Sequence, residues 1–221
     1  MSSGRSKKLN FYDYFKRTTD IIGSVIALIL FSPLLLISSF LIKLTSVGPV
    51  FADIPERVGR NGKLFRLYKF RSMVLNAHGL MRKDPKFKNL YEEYKRSSYK
   101  LYKDPRVTKV GKVIRRFSID EMPQFINVIL GEMSIVGPRA YYPDELSDQQ
   151  KRYPHTKKLV KEVLKVKPGI TGYWQVSGRS EVNFDKRIEM DAYYARKKSV
   201  LFDFLIILKT PWAMISGKGA I

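Results

Sequence analysis

Two acids stand side by side, behind two arginines, in the run Arg115-Arg116-Phe117-Ser118-Ile119-Asp120-Glu121-Met122-Pro123-Gln124. Proline fits best in the first turn of a helix, where no backbone donor is needed, so Pro123 marks a helix start and puts Asp120 or Met122 near its N-cap. There the helix macrodipole favours an ionised Asp120. A carboxylate in that state can attack an electrophilic phosphorus and form an acyl phosphate, while its neighbour Glu121 helps to hold a divalent cation. Ser118 and Glu121 also match a capping box, in which the acids serve helix stability alone. That alternative sets Pro123 deeper than the first turn and costs a helical hydrogen bond.

Phosphate chemistry needs cations as well. Lys69 and Arg71 in Lys69-Phe70-Arg71-Ser72-Met73, Arg139 in Gly137-Pro138-Arg139, and Arg179 after Gly178 stand in contexts that suit phosphate binding, although an arginine after Gly or Pro equally suits a solvated loop. The chain has no cysteine, which removes thiolate nucleophiles and disulfides. Its two histidines, His78 and His155, lack the spacing of a zinc site. Neither the dinucleotide fingerprint nor the Walker pattern is present, so nucleotide binding, where it occurs, uses another solution.

The elements that must carry these residues begin with an apolar stretch. Residues 21–42 contain no charge and are long enough, at about 1.5 Å per helical residue, to cross a ~30 Å hydrocarbon core. Ser32-Pro33 interrupts it near the middle and predicts a kink or break. Basic residues flank both sides, Lys16 and Arg17 before it and Lys43, Arg57 and Arg60 after it. A straight span places one basic flank on the wrong side, whereas a hairpin that turns at Ser32-Pro33 leaves both on the cytoplasmic side. The pattern favours the re-entrant hairpin over a kinked single span.

Beyond Gly48-Pro49, residues 50–59 and 63–73 read as a β-hairpin around Asn61-Gly62, with Pro55 marking an irregular or edge position. From 80 to 106 basic residues interleave with Tyr91, Tyr94, Tyr99 and Tyr102, a pattern suited to a helix on an anionic bilayer surface or to RNA. Helices are predicted over 123–130, 144–153, 184–197 and 202–215. With 221 residues the chain is one functional unit, and its formal net charge of +21 points to an anionic partner without choosing between membrane, nucleic acid and phosphorylated substrate.

Taken together, these motifs resemble the monotopic phosphoglycosyl transferases, or bacterial sugar transferases. The likeness covers the broken apolar helix, Tyr68-Lys69-Phe70-Arg71-Ser72-Met73, Asp104-Pro105-Arg106, Ile119-Asp120-Glu121-Met122-Pro123-Gln124, Met133-Ser134-Ile135-Val136-Gly137-Pro138-Arg139, Lys167-Pro168-Gly169-Ile170-Thr171-Gly172 and Asp191-Ala192-Tyr193-Tyr194. The resemblance implies Asp120 as the nucleophile, Glu121 as a ligand of Mg²⁺, and Arg115, Arg139, Arg179 and Asp191 in the surrounding site. It implies a ping-pong cycle in which Asp120 takes a phosphosugar from a UDP-sugar, releases UMP, and passes the phosphosugar to undecaprenyl phosphate.

The expected fold is α+β and mostly helical. A re-entrant membrane helix occupies residues 1–45, and a catalytic domain over 46–221 holds the hairpin and interfacial amphipathic helices. By the same resemblance the chain is a minimal catalytic form at the bacterial inner membrane, facing the cytoplasm, with no nucleic-acid partner. A homo-oligomer is compatible with the sequence. Two other readings of the same residues are a membrane-tethered nucleic-acid- or lipid-binding protein and a Mg²⁺-dependent hydrolase.

Overall fold

The computed structural model describes residues 11–97, 99, 101, 103–177 and 182–215; Arg179 lies outside them. The chain opens with helices α1 (Phe11–Leu30) and α2 (Ser32–Thr45), which meet at a 61° bend. Pro33 has no N–H to give to the carbonyl of Ile29, four residues back. The Ser32 hydroxyl takes over that role, donating to Ile29 O at 2.8 Å, so the break is made and satisfied by the same dipeptide. Among the described residues no single helix is long and apolar enough to cross a membrane, and α1 and α2 reach that length and hydropathy only as a bent pair.

Polar contacts just before the uncharged stretch fasten α1 to the rest of the chain. Those contacts reach α6 (Gln124–Leu130) and β3 (Ser134–Val136), which follow β1 (Arg57–Val58), β2 (Leu64–Phe65), α3 (Ala77–Lys83), α4 (Lys88–Arg96) and α5 (Lys109–Arg116). Arg17 donates to Val128 O and Ile129 O at 2.6 and 2.7 Å, neutralising carbonyls at the C-terminal end of α6. Asp20, 5% exposed, accepts from Ser134 Oγ at 3.0 Å and from the N–H of Ile135 at 2.9 Å.

The predicted hairpin forms. β1 and β2 pair antiparallel, Arg57 opposite Phe65, across a turn in which Asn61 (φ 58°) and Gly62 (φ 79°) both take the left-handed backbone that a tight hairpin demands. Farther out the arms pair again at the Phe51–Phe70 bridge, with irregular backbone around Pro55 between the two. Chain order continues through α7 (Pro143–Arg152), α8 (Lys157–Val163), β4 (Gly169–Thr171), α9 (Tyr173–Ser177), α10 (Phe184–Lys197) and α11 (Val200–Ile215). The last two coincide closely with the helices read from sequence. On α10 the stripe Phe184, Ile188, Asp191 and Ala192 is fully buried at helical spacing. Phe184 and Ile188 pack there against Val58, Tyr141, Leu146 and Val160.

β3 and β4 form a parallel pair, Ser134 beside Gly169 and Val136 beside Thr171, with α7 and α8 in the crossover. Their glycines explain two of the sequence motifs. A Cβ on Gly169 would come within 2.0 Å of Gly137 N and 2.4 Å of Thr171 O, and one on Gly172 within 2.2 Å of Gly137 O. These obstacles are backbone atoms that cannot rotate away. Gly169→Ala is therefore expected to cost about 1–3 kcal/mol or more through overpacking, seen as a lower urea midpoint.

Candidate active site

The two acids lie in a 3-10 turn, Ile119–Glu121, that precedes α6. Ser118 enters this turn with a left-handed backbone (φ 54°) and its side chain makes no capping hydrogen bond, so the capping-box alternative is excluded. Pro123 occupies the N-cap of α6. The hairpin meets the turn directly: the N–H of Phe70 donates to Asp120 O at 2.9 Å. Asn127, fully buried on α6, holds the preceding stretch by accepting from Tyr68 N at 2.9 Å and donating to Arg66 O at 2.8 Å.

These backbone ties deliver Lys69 to the acids. Its Nζ is 3.0 Å from Asp120 Oδ2 and 3.1 Å from Glu121 Oε1, and its side chain is 19% exposed. Burial works against the Lys69 ammonium, but the charges of Asp120 and Glu121 outweigh it and raise its pKa. Asp120, with a side chain 3% exposed, has its pKa raised by burial, opposed mainly by Lys69. Glu121 is the more open, and Lys69 lowers its pKa despite the opposing effect of burial. The expected role of the helix macrodipole is thus corrected: Asp120 sits ahead of the N-cap in a buried turn, and the neighbouring ammonium is what favours its ionised form.

Lys69, Asp120 and Glu121 line a cavity of about 670 Å³, together with Arg115 from the end of α5 and Arg139 from the loop after β3. Arg139 lies over the ring of Trp174, 5.8 Å from its centroid, and its buried Nε has no hydrogen-bond partner among the described residues. Lys69 and the lining arginines Arg57, Arg71, Arg106, Arg115 and Arg139 outnumber the carboxylates of Asp53, Asp120 and Glu121, so the chamber suits a polyanion whose phosphorus is brought to Asp120. Arg71 also lines the cavity, but its guanidinium holds the end of α2 by donating to Ser46 O and Oγ, each at 2.9 Å, and to Val47 O.

Asp191 is placed differently from the other residues singled out in the sequence. It is fully buried on α10, off the cavity lining, and accepts from Tyr141 Oη at 2.9 Å and from the N–H of Arg139 at 3.3 Å. It thus anchors the backbone that presents Arg139. Burial pushes Asp191 up to about 7, against the pull of the Tyr141 hydroxyl, the Arg139 N–H and the nearby arginines. Between its ordinary value of 3.8 and about 7, the folded chain keeps a proton that the unfolded chain releases, so stability declines as pH rises through that window. Asp191→Asn should flatten this decline, measured as urea midpoints at about pH 5 and about pH 8.

Other cavity residues were not read from the sequence as parts of the site. Tyr142 carries the Arg57 guanidinium 3.2 Å from its ring centroid and lies edge-on to His78. Burial, then Arg106 and Arg57, lower the pKa of His78 to about 4, which leaves it neutral. Aromatic and arginine residues scattered over 57, 78, 94, 142 and 174 have no sequence spacing in common; only the fold collects them.

Comparison with known proteins gives this arrangement a context. The bacterial sugar transferase family matches residues 11–217. The chain belongs to that family. Among relatives of this chain is the undecaprenyl-phosphate galactose phosphotransferase of Salmonella typhimurium, 41% identical over 94% of this chain and 42% of that protein. The exopolysaccharide production protein ExoY of Sinorhizobium fredii is 40% identical, over 93% of this chain and 87% of its own length. The UDP-glucose:undecaprenyl-phosphate glucose-1-phosphate transferase of Escherichia coli is 38% identical, over 93% of the chain and 41% of that protein. The chain thus spans under half the length of several curated relatives and most of the length of another. Its acids, Lys69, Arg115 and Arg139 all fall inside the matched region.

Proposed function

We propose that this sugar transferase moves a sugar 1-phosphate from a UDP-sugar to undecaprenyl phosphate, through a phosphosugar ester on Asp120, and so begins the assembly of a surface polysaccharide or glycoconjugate. The observation that carries this reading is the buried Asp120 carboxylate paired with Lys69, in one cavity with Glu121, Arg115 and Arg139. Relatives named for undecaprenyl-phosphate galactose, glucose and N-acetylgalactosamine phosphotransfer support it.

In the first half-reaction an Asp120 oxygen bonds to the β-phosphorus, the bond from that phosphorus to the bridging oxygen breaks, and its electron pair leaves with UMP. In the second, a phosphate oxygen of the acceptor attacks the same phosphorus and the electron pair of the ester returns to the Asp120 carboxylate. Arg115 and Arg139 offset charge gathering on the phosphoryl oxygens, and Lys69 keeps Asp120 ionised for attack.

Among the described residues no cluster of three or more candidate metal ligands exists. Mg²⁺ does not need one, because it commonly takes one or two carboxylates and completes its shell with water and substrate phosphates. The donor set fits: Glu121 and the buried Asp120 Oδ2, which has an ion pair to Lys69 but no aligned hydrogen bond, would hold the ion. When bound, it would supply further neutralisation of the diphosphate.

In this reading residues 1–45 form a re-entrant element, broken at Ser32-Pro33, that enters and leaves the cytoplasmic leaflet of the bacterial inner membrane, and residues 46–221 form the catalytic unit on that face. Exposed apolar residues on both arms, among them Ile26, Ile29, Leu36 and Phe40, support it. The test is UMP release from a panel of UDP-sugars by purified protein with Mg²⁺ and undecaprenyl phosphate in detergent. Release that requires the lipid and yields a lipid-linked product is expected. UMP release without such a product would instead favour a hydrolase.

A further inference from the structure

Arg187 of α10 is fully buried, off the cavity lining and one helical turn before Asp191. Among the described residues three other arginines are buried, and each guanidinium donates a hydrogen bond: Arg57 to Ala140 O at 3.0 Å, Arg71 to Ser46 O at 2.9 Å and Arg106 to Ala77 O at 2.9 Å. The Arg187 guanidinium donates none among them. Its charge meets the buried Glu145 carboxylate, Nη1 to Oε1 at 3.5 Å, and the ring of Trp174, whose centroid is 4.9 Å away. Taking a guanidinium out of water is costly, and an apolar side chain of similar volume would fill the same space without that cost. Arg187 therefore does something that an apolar residue would not.

What it touches leads by three routes to Arg139. Trp174, on α9, is buried at its back and lines the cavity, and its ring lies 5.8 Å from the Arg139 guanidinium, so two guanidinium groups share one aromatic ring. Glu145 is the second route. Its Oε2 accepts from the N–H of Tyr142 at 3.4 Å, and its charge is the first of those that outweigh burial and raise the pKa of Arg139. Asp191 is the third. It accepts from the N–H of Arg139 at 3.3 Å, and against the burial that raises its pKa the Arg187 charge is one of those that favour the carboxylate. The backbone from 139 to 142 is thus held at each end by an acid, and both acids lie in the field of Arg187.

We propose that Arg187 is a positioning residue: from behind the cavity wall it fixes Trp174 and Glu145, and through them the place of the Arg139 guanidinium that meets the substrate's phosphate. Its part in phosphoryl transfer rests on the transferase reading above, whereas its hold on Arg139 does not.

Two substitutions separate what Arg187 supplies. Arg187→Lys keeps the charge beside Glu145, which protects the fold, but lacks the flat guanidinium that lies by the Trp174 ring. Arg187→Met removes the charge as well. Two readouts are taken on the full chain. The first needs neither substrate nor transfer: the rate at which phenylglyoxal modifies Arg139, read by peptide mass, with Arg115 of the same cavity as the internal reference. The second is exchange of labelled UMP into UDP-sugar, which needs no lipid, for both Arg187 variants with and without Arg139→Met.

Freed from its supports, Arg139 is expected to react about threefold faster or more in Arg187→Lys, and faster still in Arg187→Met, with Arg115 unchanged. The kcat for exchange should fall about tenfold in Arg187→Met and less in Arg187→Lys, with the KM for UDP-sugar within about twofold, because Arg139 serves charge that builds in the transition state. In the Arg139→Met background the same substitutions should change kcat by no more than about twofold, since the group they position is gone. An Arg139 rate unchanged in both Arg187 variants, an equal acceleration at Arg115, or a loss of kcat that multiplies undiminished onto Arg139→Met overturns the proposal. The last two are what a general loosening of the fold would give. Absence of exchange in the wild-type chain overturns the transferase reading instead, and the modification rates then decide the hold of Arg187 on Arg139 by themselves.

Discussion

Asp120→Asn is expected to lower both UMP exchange and transfer to lipid by about a thousandfold or more, because the amide keeps the shape of the side chain and loses the nucleophile. The fold should survive. Asp120 is 2% exposed and its carboxylate is held against desolvation by Lys69, which keeps Glu121 as a partner when Asp120 becomes neutral. Thermal unfolding of the variant should therefore stay close to wild type and separate lost chemistry from lost structure. Intact-protein mass after incubation with the donor sugar nucleotide, without acceptor, should show a phosphosugar adduct on the wild-type chain alone. Exchange that persists in Asp120→Asn would rule out the covalent route and leave direct attack by the acceptor. The pH profile carries a further sign: burial raises the pKa of Asp120, so exchange should fall as pH drops through a point above the ordinary carboxylate value of 3.8.

The sequence was most legible where one local rule decides the structure. Asn61-Gly62 demands a left-handed turn and produced the hairpin, Pro33 forced the break, and the periodicity of 184–197 yielded α10 with its predicted bounds. Contacts between distant backbones were not legible. β3 and β4 have only three residues each, too few to display alternation, and the glycines that let them approach are understood only once Gly137 and Gly169 are seen against each other. Asp20 and Arg17 were hidden in a similar way. A hydropathy reading begins at Ile21 and treats the charges before it as flanks, whereas in the fold they dock α1 on β3 and α6. At the site, the spacing of Asp120 and Glu121 left nucleophile and helix cap in balance, and a single backbone angle at Ser118 removes the cap. Lys69 and Arg71 read alike as phosphate grips in the sequence, and two residues apart on a regular strand they would share a face; both lie beyond the end of β2, beside the isolated bridge at Phe70, and take separate tasks. Lys69 turns to the acids, and Arg71 to the end of α2.

Lys69→Met should have the second largest effect, and its form distinguishes a residue that tunes the acids from one that only grips phosphate. The substitution leaves Asp120 and Glu121 adjacent, one of them buried, without the ammonium that lies 3.0 and 3.1 Å from them. Removing one partner of a buried ion pair costs about 3–5 kcal/mol, and the residual exposure of Lys69 points to the lower end, about 3 kcal/mol. The sign with pH follows from the same charges. Lys69 lowers the pKa of both acids, so without it both rise and Asp120 takes up a proton more readily. The loss of stability should therefore be greatest at high pH, where both carboxylates are charged, and shrink as pH falls and one is neutralised. Exchange should move the other way. At neutral pH it should drop about a hundredfold, with its acid limb shifted upward, and partly recover as the pH is raised. Lys69→Arg keeps the charge and should restore most of the stability and the position of the limb. If Lys69→Met instead raises the KM for the sugar nucleotide with the pH profile unmoved, Lys69 binds phosphate and does not set the ionisation of Asp120.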